Sequence, residues 1–151
     1  MTRTFEPLND AEHDWLNLQL ENATRVVQAF APENASSPLK PSALDLAFSR
    51  FLTSEQSALG GSIDIVTAIG VAFGKNLVDR LGFAWVIATD DYGTGLAVLG
   101  RPGRGDVTVF PIEFVAKRHE RQESDFIEHS IDSVEEDLER IAADWGDNDR
   151  P

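Results

Sequence analysis

Cysteine is absent from this chain of 151 residues. Its absence excludes disulfides, zinc–thiolate centres and thiol nucleophiles. Basic side chains are scarce: 13 Lys and Arg stand against 26 Asp and Glu, a net charge of −13. A field of that sign repels phosphate, so nucleic acid and anionic membranes are rejected as partners, while basic proteins are attracted. No window comes near the roughly 18 consecutive apolar residues that a membrane helix requires. Met1 to Pro7 holds no apolar stretch of the secretory kind, and the expected setting is the cytoplasm. What the chain does have is a hydrophobic fraction of 42% and nine Phe. That suffices for one globular domain over residues 1–151, with residues 1–8 and 147–151 expected to fray.

Spacing predicts an α+β fold in the order α-α-α-β-β-β-α-α, about five helices packed on a three-stranded antiparallel meander. Asn9 or Asp10 caps a first helix in which Leu16, Leu20, Ala23, Val27 and Phe30 share a face. Pro32 ends it. Ser42 with Asp45 approximates a capping box for a second helix that buries Leu44, Phe48 and Phe51. Gly60-Gly61 breaks the chain, and Ser62 is placed to cap a third helix from Ile63 to Leu81. Apolar residues surround much of that helix, so it belongs at the centre. Gly70 and Gly74 within it call for the close approach of another element, and Gly82 suits a left-handed cap.

Phe83 to Thr89, Leu96 to Leu99 and Asp106 to Phe110 read as strands, joined by the turns Asp90–Gly95 and Arg101–Gly105. Phe83, Trp85 and Ile87 face one side of the sheet and Ala84, Val86 and Ala88 the other. Both sides are apolar, so either helices cover both or one meets a second chain. Pro111 starts a fourth helix to about Arg121, in which Glu113 precedes Lys117 by four residues, the favourable order for an ion pair. A fifth helix from Ser124 repeats Ile127, Ile131, Val134, Leu138, Ile141 and Trp145 on one face, with the sheet as its expected bed. Charge is unevenly spread. Ser124 to Asp149 carries ten acidic side chains and one basic, whereas Arg101 to Arg121 carries five basic and three acidic.

Reaction chemistry is thinly signposted. His13, His119 and His129 form no metal-ligand spacing, and neither a metal nor a cofactor is expected. Asp125 with His129, and His13 beside Asp10 and Asp14, read as surface ion pairs. No nucleophile elbow and no phosphate loop occur. Asp90-Asp91 is the best candidate for a site, because adjacent carboxylates on a turn bind a hard cation or a basic group. Asp is equally a turn former, since its side chain accepts nearby backbone N–H groups, and this second role is favoured.

The segments Ala72-Phe73-Gly74, Leu77-Val78, Leu81-Gly82, Trp85-Val86, Thr89-Asp90, Tyr92-Gly93, Phe110-Pro111 and Val115-x-Lys117-Arg118 resemble an uncharacterised bacterial family known as a domain of unknown function, the one numbered 3806. The resemblance covers roughly Ile63 to Arg121 and implies no activity. It singles out Asp90, Tyr92, Gly93, Lys117 and Arg118; Asp91 stands where the pattern often has Glu. A salt bridge from Asp90 or Asp91 to Lys117 or Arg118 would tie the hairpin tip to the fourth helix.

The first functional expectation is a non-enzymatic acidic module that binds a basic protein partner, in the manner of an immunity protein or a chaperone. A small enzyme or ligand-binding domain with a site near the Asp90–Gly95 turn, Asp90, Asp91, Lys117 and Arg118 lining a cleft, is the alternative, and Tyr92 stands with these four as a candidate binding residue. A homodimeric structural module is the third.

Overall fold

Nine regular elements follow one another in the computed structural model, which describes residues 3–36, 38–54 and 64–146. They are β1 (Thr4–Pro7), α1 (Asp10–Phe30), α2 (Pro41–Leu52), α3 (Ile65–Leu81), β2 (Ala84–Asp90), β3 (Gly93–Gly100), β4 (Val107–Val109), α4 (Pro111–Glu120) and α5 (Ile127–Asp144). A 3-10 turn at Pro32–Asn34 links α1 to α2. The fold is α+β with five helices, as expected, but the antiparallel sheet has four strands in the order β1-β2-β3-β4. The additional strand lies in the stretch expected to fray. Thr4 pairs with Thr89 and Pro7 with Val86, so β1 exists through its ladder with β2 rather than through any pattern of its own. The Gly60-Gly61 break, the Ser62 cap, the start of the third helix at Ile63 and the tail over 147–151 lie outside the described residues.

Asn9 caps α1 through a full capping box. Its side-chain oxygen accepts the Glu12 N–H at 2.8 Å, and the Glu12 carboxylate accepts the Asn9 N–H at 2.8 Å. The second helix departs from expectation. Pro41 opens it, because a ring with no N–H and a fixed φ suits the first helical position. Ser42 and Asp45 therefore fall inside the helix and form no box. Asp45 turns instead to α5, where its two oxygens accept the Ile127 and Glu128 N–H groups at 2.7 and 3.0 Å. That cap places the start of α5 at Ile127 rather than Ser124. Burial pushes the Asp45 carboxyl above the usual range, against the pull of the two N–H groups.

Helix α3 is buried along most of its length, as expected of a central element. Its two interior glycines admit the first turn of α4 and, at Gly74, the Trp85 ring from β2. A Cβ on Gly70 would stand 2.6 Å from Ile112 Cα, and one on Gly74 would stand 2.4 Å from the Trp85 ring. Gly82 adopts the left-handed cap at φ 76°. On one face of the sheet Trp85 and Val98 join the main core with α1, α2 and α3. On the other, Val86, Ala88, Ala97 and Leu99 pack with the rings of Phe5 and Phe110.

The bed of α5 also differs from the expected sheet face. The helix lies chiefly on α2 and α3. Ile127 is fully buried and Ile131 nearly so, whereas Trp145 at the far end is 51% exposed, with the Arg104 guanidinium 5.9 Å from its ring centre. The burial gradient follows from the cap: Asp45 anchors the first turn, and the core tapers towards the last. Among the described residues no helix is long and apolar enough to cross a membrane.

Candidate functional site

The β2–β3 hairpin closes through two residues, Asp91 and Tyr92, with Asp90 paired to Gly93. Asp90 builds the turn. Its Oδ1 accepts the Tyr92 N–H at 2.8 Å, a local bond that short acidic side chains make readily. Its Oδ2 accepts from Arg3 Nη2 at 3.1 Å. The Tyr92 N–H first, and Arg3 second, hold the Asp90 carboxyl below the usual carboxylate range. Gly93 takes φ 144°, a conformation that a side chain would strain. The Thr89 and Thr94 hydroxyls bond across the stem at 3.0 Å. Asp91 is exposed, and Tyr92 at 86% is the most exposed large apolar side chain described. Among the described residues no cluster of His, Asp and Glu could hold a metal ion.

Lys117 and Arg118 lie elsewhere, on the last turns of α4, and line a cleft of about 560 Å³ between α4, β4 and α5. Among the described residues no ion pair joins them to Asp90 or Asp91. Asp90 has a different partner: the register of β1 with β2 brings Arg3 beside it. Arg118 Nε sits 3.5 Å from Glu123, and its guanidinium lies 4.3 and 5.7 Å from the Phe114 and Phe126 ring centres. Glu113 and Lys117 share the cleft without forming the expected pair. The expected contacts of His13 with Asp10 or Asp14, and of Asp125 with His129, are likewise missing among the described residues. For Asp125 the backbone explains it. It precedes α5 in a left-handed conformation, φ 61°, so helical spacing does not bring it to His129.

Sequence reasoning missed a groove that does adjoin the hairpin. Trp15, Ala11 and the Asn9–Glu12 cap form one wall; Ile87 and Leu96 on the sheet, with Ile112 at the start of α4, form the rest. Its volume is about 380 Å³. Ile87 and Leu96 point to the same side of the hairpin as Thr89 and Thr94, so the groove continues the stem towards Tyr92. Trp15 and Leu18 are 39% and 51% exposed. The signal was available in Trp15, a large apolar residue that lines the groove and falls outside the buried stripe of α1.

A further hollow of about 300 Å³ lies between α1 and α3, over Asn76. Asn76 is already satisfied, for its amide donates to the Leu39 and Ala72 carbonyls and its oxygen accepts from Arg80. That hollow therefore presents no unmet polar group from Asn76 to a ligand.

No curated protein and no solved structure matches this chain. The profile of DUF3806, a domain of unknown function, matches residues 46–128. The matched stretch runs from within α2 through α3, the β2–β4 meander and α4 to the first turn of α5. It takes in the hairpin, Lys117 and Arg118, and the sheet side of the groove, and leaves β1 and α1 outside. More than half of the sequence is thus accounted for, and the chain belongs to the DUF3806 family.

Proposed function

We propose that this protein is a non-enzymatic binding module that docks a basic, amphipathic segment of a partner protein in the Trp15 groove. One observation carries the reading: an open apolar groove with an aromatic wall lies on a chain of net charge −13. Apolar surface of Trp15, Ile87 and Leu96 is left accessible here, and a partner's apolar side chains would cover it. Trp is the residue most often found to anchor such contacts. Glu12 lines the groove, Asp10 and Asp14 are exposed on the same helical turns, and Asp91 and Tyr92 stand at the hairpin tip. Lysines or arginines flanking the inserted residues would be drawn by these carboxylates, and association would slow as salt rises.

The test uses two synthetic amphipathic peptides, one of Lys and Leu and one of Glu and Leu, titrated against the whole protein by calorimetry with amide shifts recorded in parallel. The Lys/Leu peptide is expected to bind at low salt, to shift Ile87, Leu96 and Ile112, and to lose roughly tenfold or more in affinity on Trp15→Ala. Equal binding of the two peptides, or affinity indifferent to Trp15→Ala, overturns the proposal. So does a concentration-dependent dimer that buries Trp15, since a second copy would then occupy the groove.

A further inference from the structure

Helix α4 separates two surfaces. Ile112 faces the Trp15 groove, while Glu113 and Lys117 line the cleft towards α5. We propose that this second cleft binds a small zwitterion with an apolar body, of the class of an α-amino acid with an apolar side chain.

The charges of the cleft fall into two sets. Arg118 is engaged by Glu123 and by two aromatic rings, and Asp137 is engaged by Arg140 at 2.8 Å. These four serve the protein itself. His129 lines the cleft from α5. Lys117 and Glu113 remain on α4, and among the described residues neither forms an ion pair or a side-chain hydrogen bond with another residue. They stand one helical turn apart, with a cation and an anion facing the same space. Side chains at this spacing on a helix surface ordinarily meet; here they form no pair with each other.

Net charge then decides the ligand class. A simple anion would be drawn to Lys117 but repelled by Glu113 and by the −13 of the chain. A simple cation would find the overall field favourable but Lys117 opposed. A zwitterion gains from both side chains and is indifferent to the net field. Its carboxylate would meet the Lys117 ammonium, and its ammonium would meet the Glu113 carboxylate. Beneath the charged rim the floor is apolar, made by Phe73, Phe114 and Val134. Phe73 and Phe114 are in ring contact, with centroids 5.4 Å apart. Ser130 and Ser133 on α5 present hydroxyls from the opposite wall. The space of about 560 Å³ exceeds what one amino acid fills, and the cleft is open, so affinity on the order of millimolar is expected.

Three related probes separate the alternatives: L-phenylalanine, 3-phenylpropanoate, which lacks the ammonium, and phenethylamine, which lacks the carboxylate. Each is titrated into the full chain while amide shifts are followed. L-phenylalanine is expected to shift residues of α4 and of α5 from His129 to Asp137, and to bind at least about tenfold more tightly than either single-charge probe. Lys117→Gln should weaken L-phenylalanine by a similar factor and leave phenethylamine no weaker. Glu113→Gln should weaken L-phenylalanine and leave 3-phenylpropanoate no weaker. Both positions are exposed, so the variants should keep the fold, which the unshifted core amides would verify. Equal affinity for all three probes, shifts confined to the Trp15 groove, or no shift at tens of millimolar L-phenylalanine overturns the proposal. The peptide titration at Trp15 is read separately, so either proposal can fall without the other.

Discussion

Asp45 on α2 caps a helix that starts 82 positions later, its Oδ1 accepting the Ile127 N–H at 2.7 Å. A helix start leaves several N–H groups without partners, and the residue before α5, Phe126, has no side-chain acceptor to offer. The cap must therefore come from elsewhere in the fold. Asp45→Ala is expected to lower stability by about 1–2 kcal/mol, the usual cost of losing a cap. Urea unfolding would measure it, and hydrogen exchange at Ile127 and Glu128 should accelerate first. Unchanged exchange at those two amides would show that the cap is dispensable.

Asp45 and Asp90 should respond to acid in opposite directions. The folded state raises the Asp45 carboxyl, so ionisation there offsets part of the cap's contribution at neutral pH, and that offset is relieved as pH falls through the raised value towards the ordinary one. The folded state lowers the Asp90 carboxyl. Its contribution is therefore present above the ordinary carboxylate value and is lost as pH falls through the lowered one. Asp90→Asn keeps an acceptor for the Tyr92 N–H but removes the charge that faces Arg3. The wild type should exceed this variant in urea midpoint near neutral pH, and the gap should close in acid below the ordinary carboxylate value. A gap of constant size across that range would contradict the assigned shift.

Glycine at 70 and 74 is required by approach distance rather than by backbone conformation. Replacement by alanine gains about 1 kcal/mol in helix propensity. Against this, the new methyl at Gly70 meets Ile112 main chain at 2.6 Å, which cannot move without shifting the first turn of α4. Overpacking of that kind costs about 1–3 kcal/mol. Gly70→Ala is expected to be net destabilising. Gly74→Ala meets side-chain atoms, Trp85 at 2.4 Å and Pro111 at 2.9 Å, so the ring can yield in part. Its effect should be smaller. Thermal unfolding of the two variants would rank them, and the reverse order would refute the argument.

The helices were legible because apolar residues three and four apart mark a face whatever it packs on. Leu16, Val27, Leu44, Phe48, Ile69 and Phe73 are all buried, as their spacing requires. The hairpin was legible in its position, since a local Asp bond and a glycine with positive φ are encoded within four residues. Its turn is two residues rather than Asp90–Gly95, and β3 starts at Gly93 rather than Leu96, because the pairing of Gly93 to Gly95 with β2 leaves no local mark. Of the candidate site, Asp90 could be read as a turn former, but its partner Arg3 could not. The ladder between Thr4–Pro7 and β2 is a non-local pairing, and four residues with one Phe carry no periodic signal.

Local sequence thus determined which segments are helical, where they bury a face, and that the surface is acidic. Tertiary structure alone decided which face meets which. It set α5 on α2 and α3 through the Asp45 cap, drew Arg3 to Asp90, and left Trp15 beside an open groove and Lys117 beside an open cleft. A repeat of apolar residues specifies that a surface must be covered, but the identity of its cover depends on contacts between residues far apart in the chain.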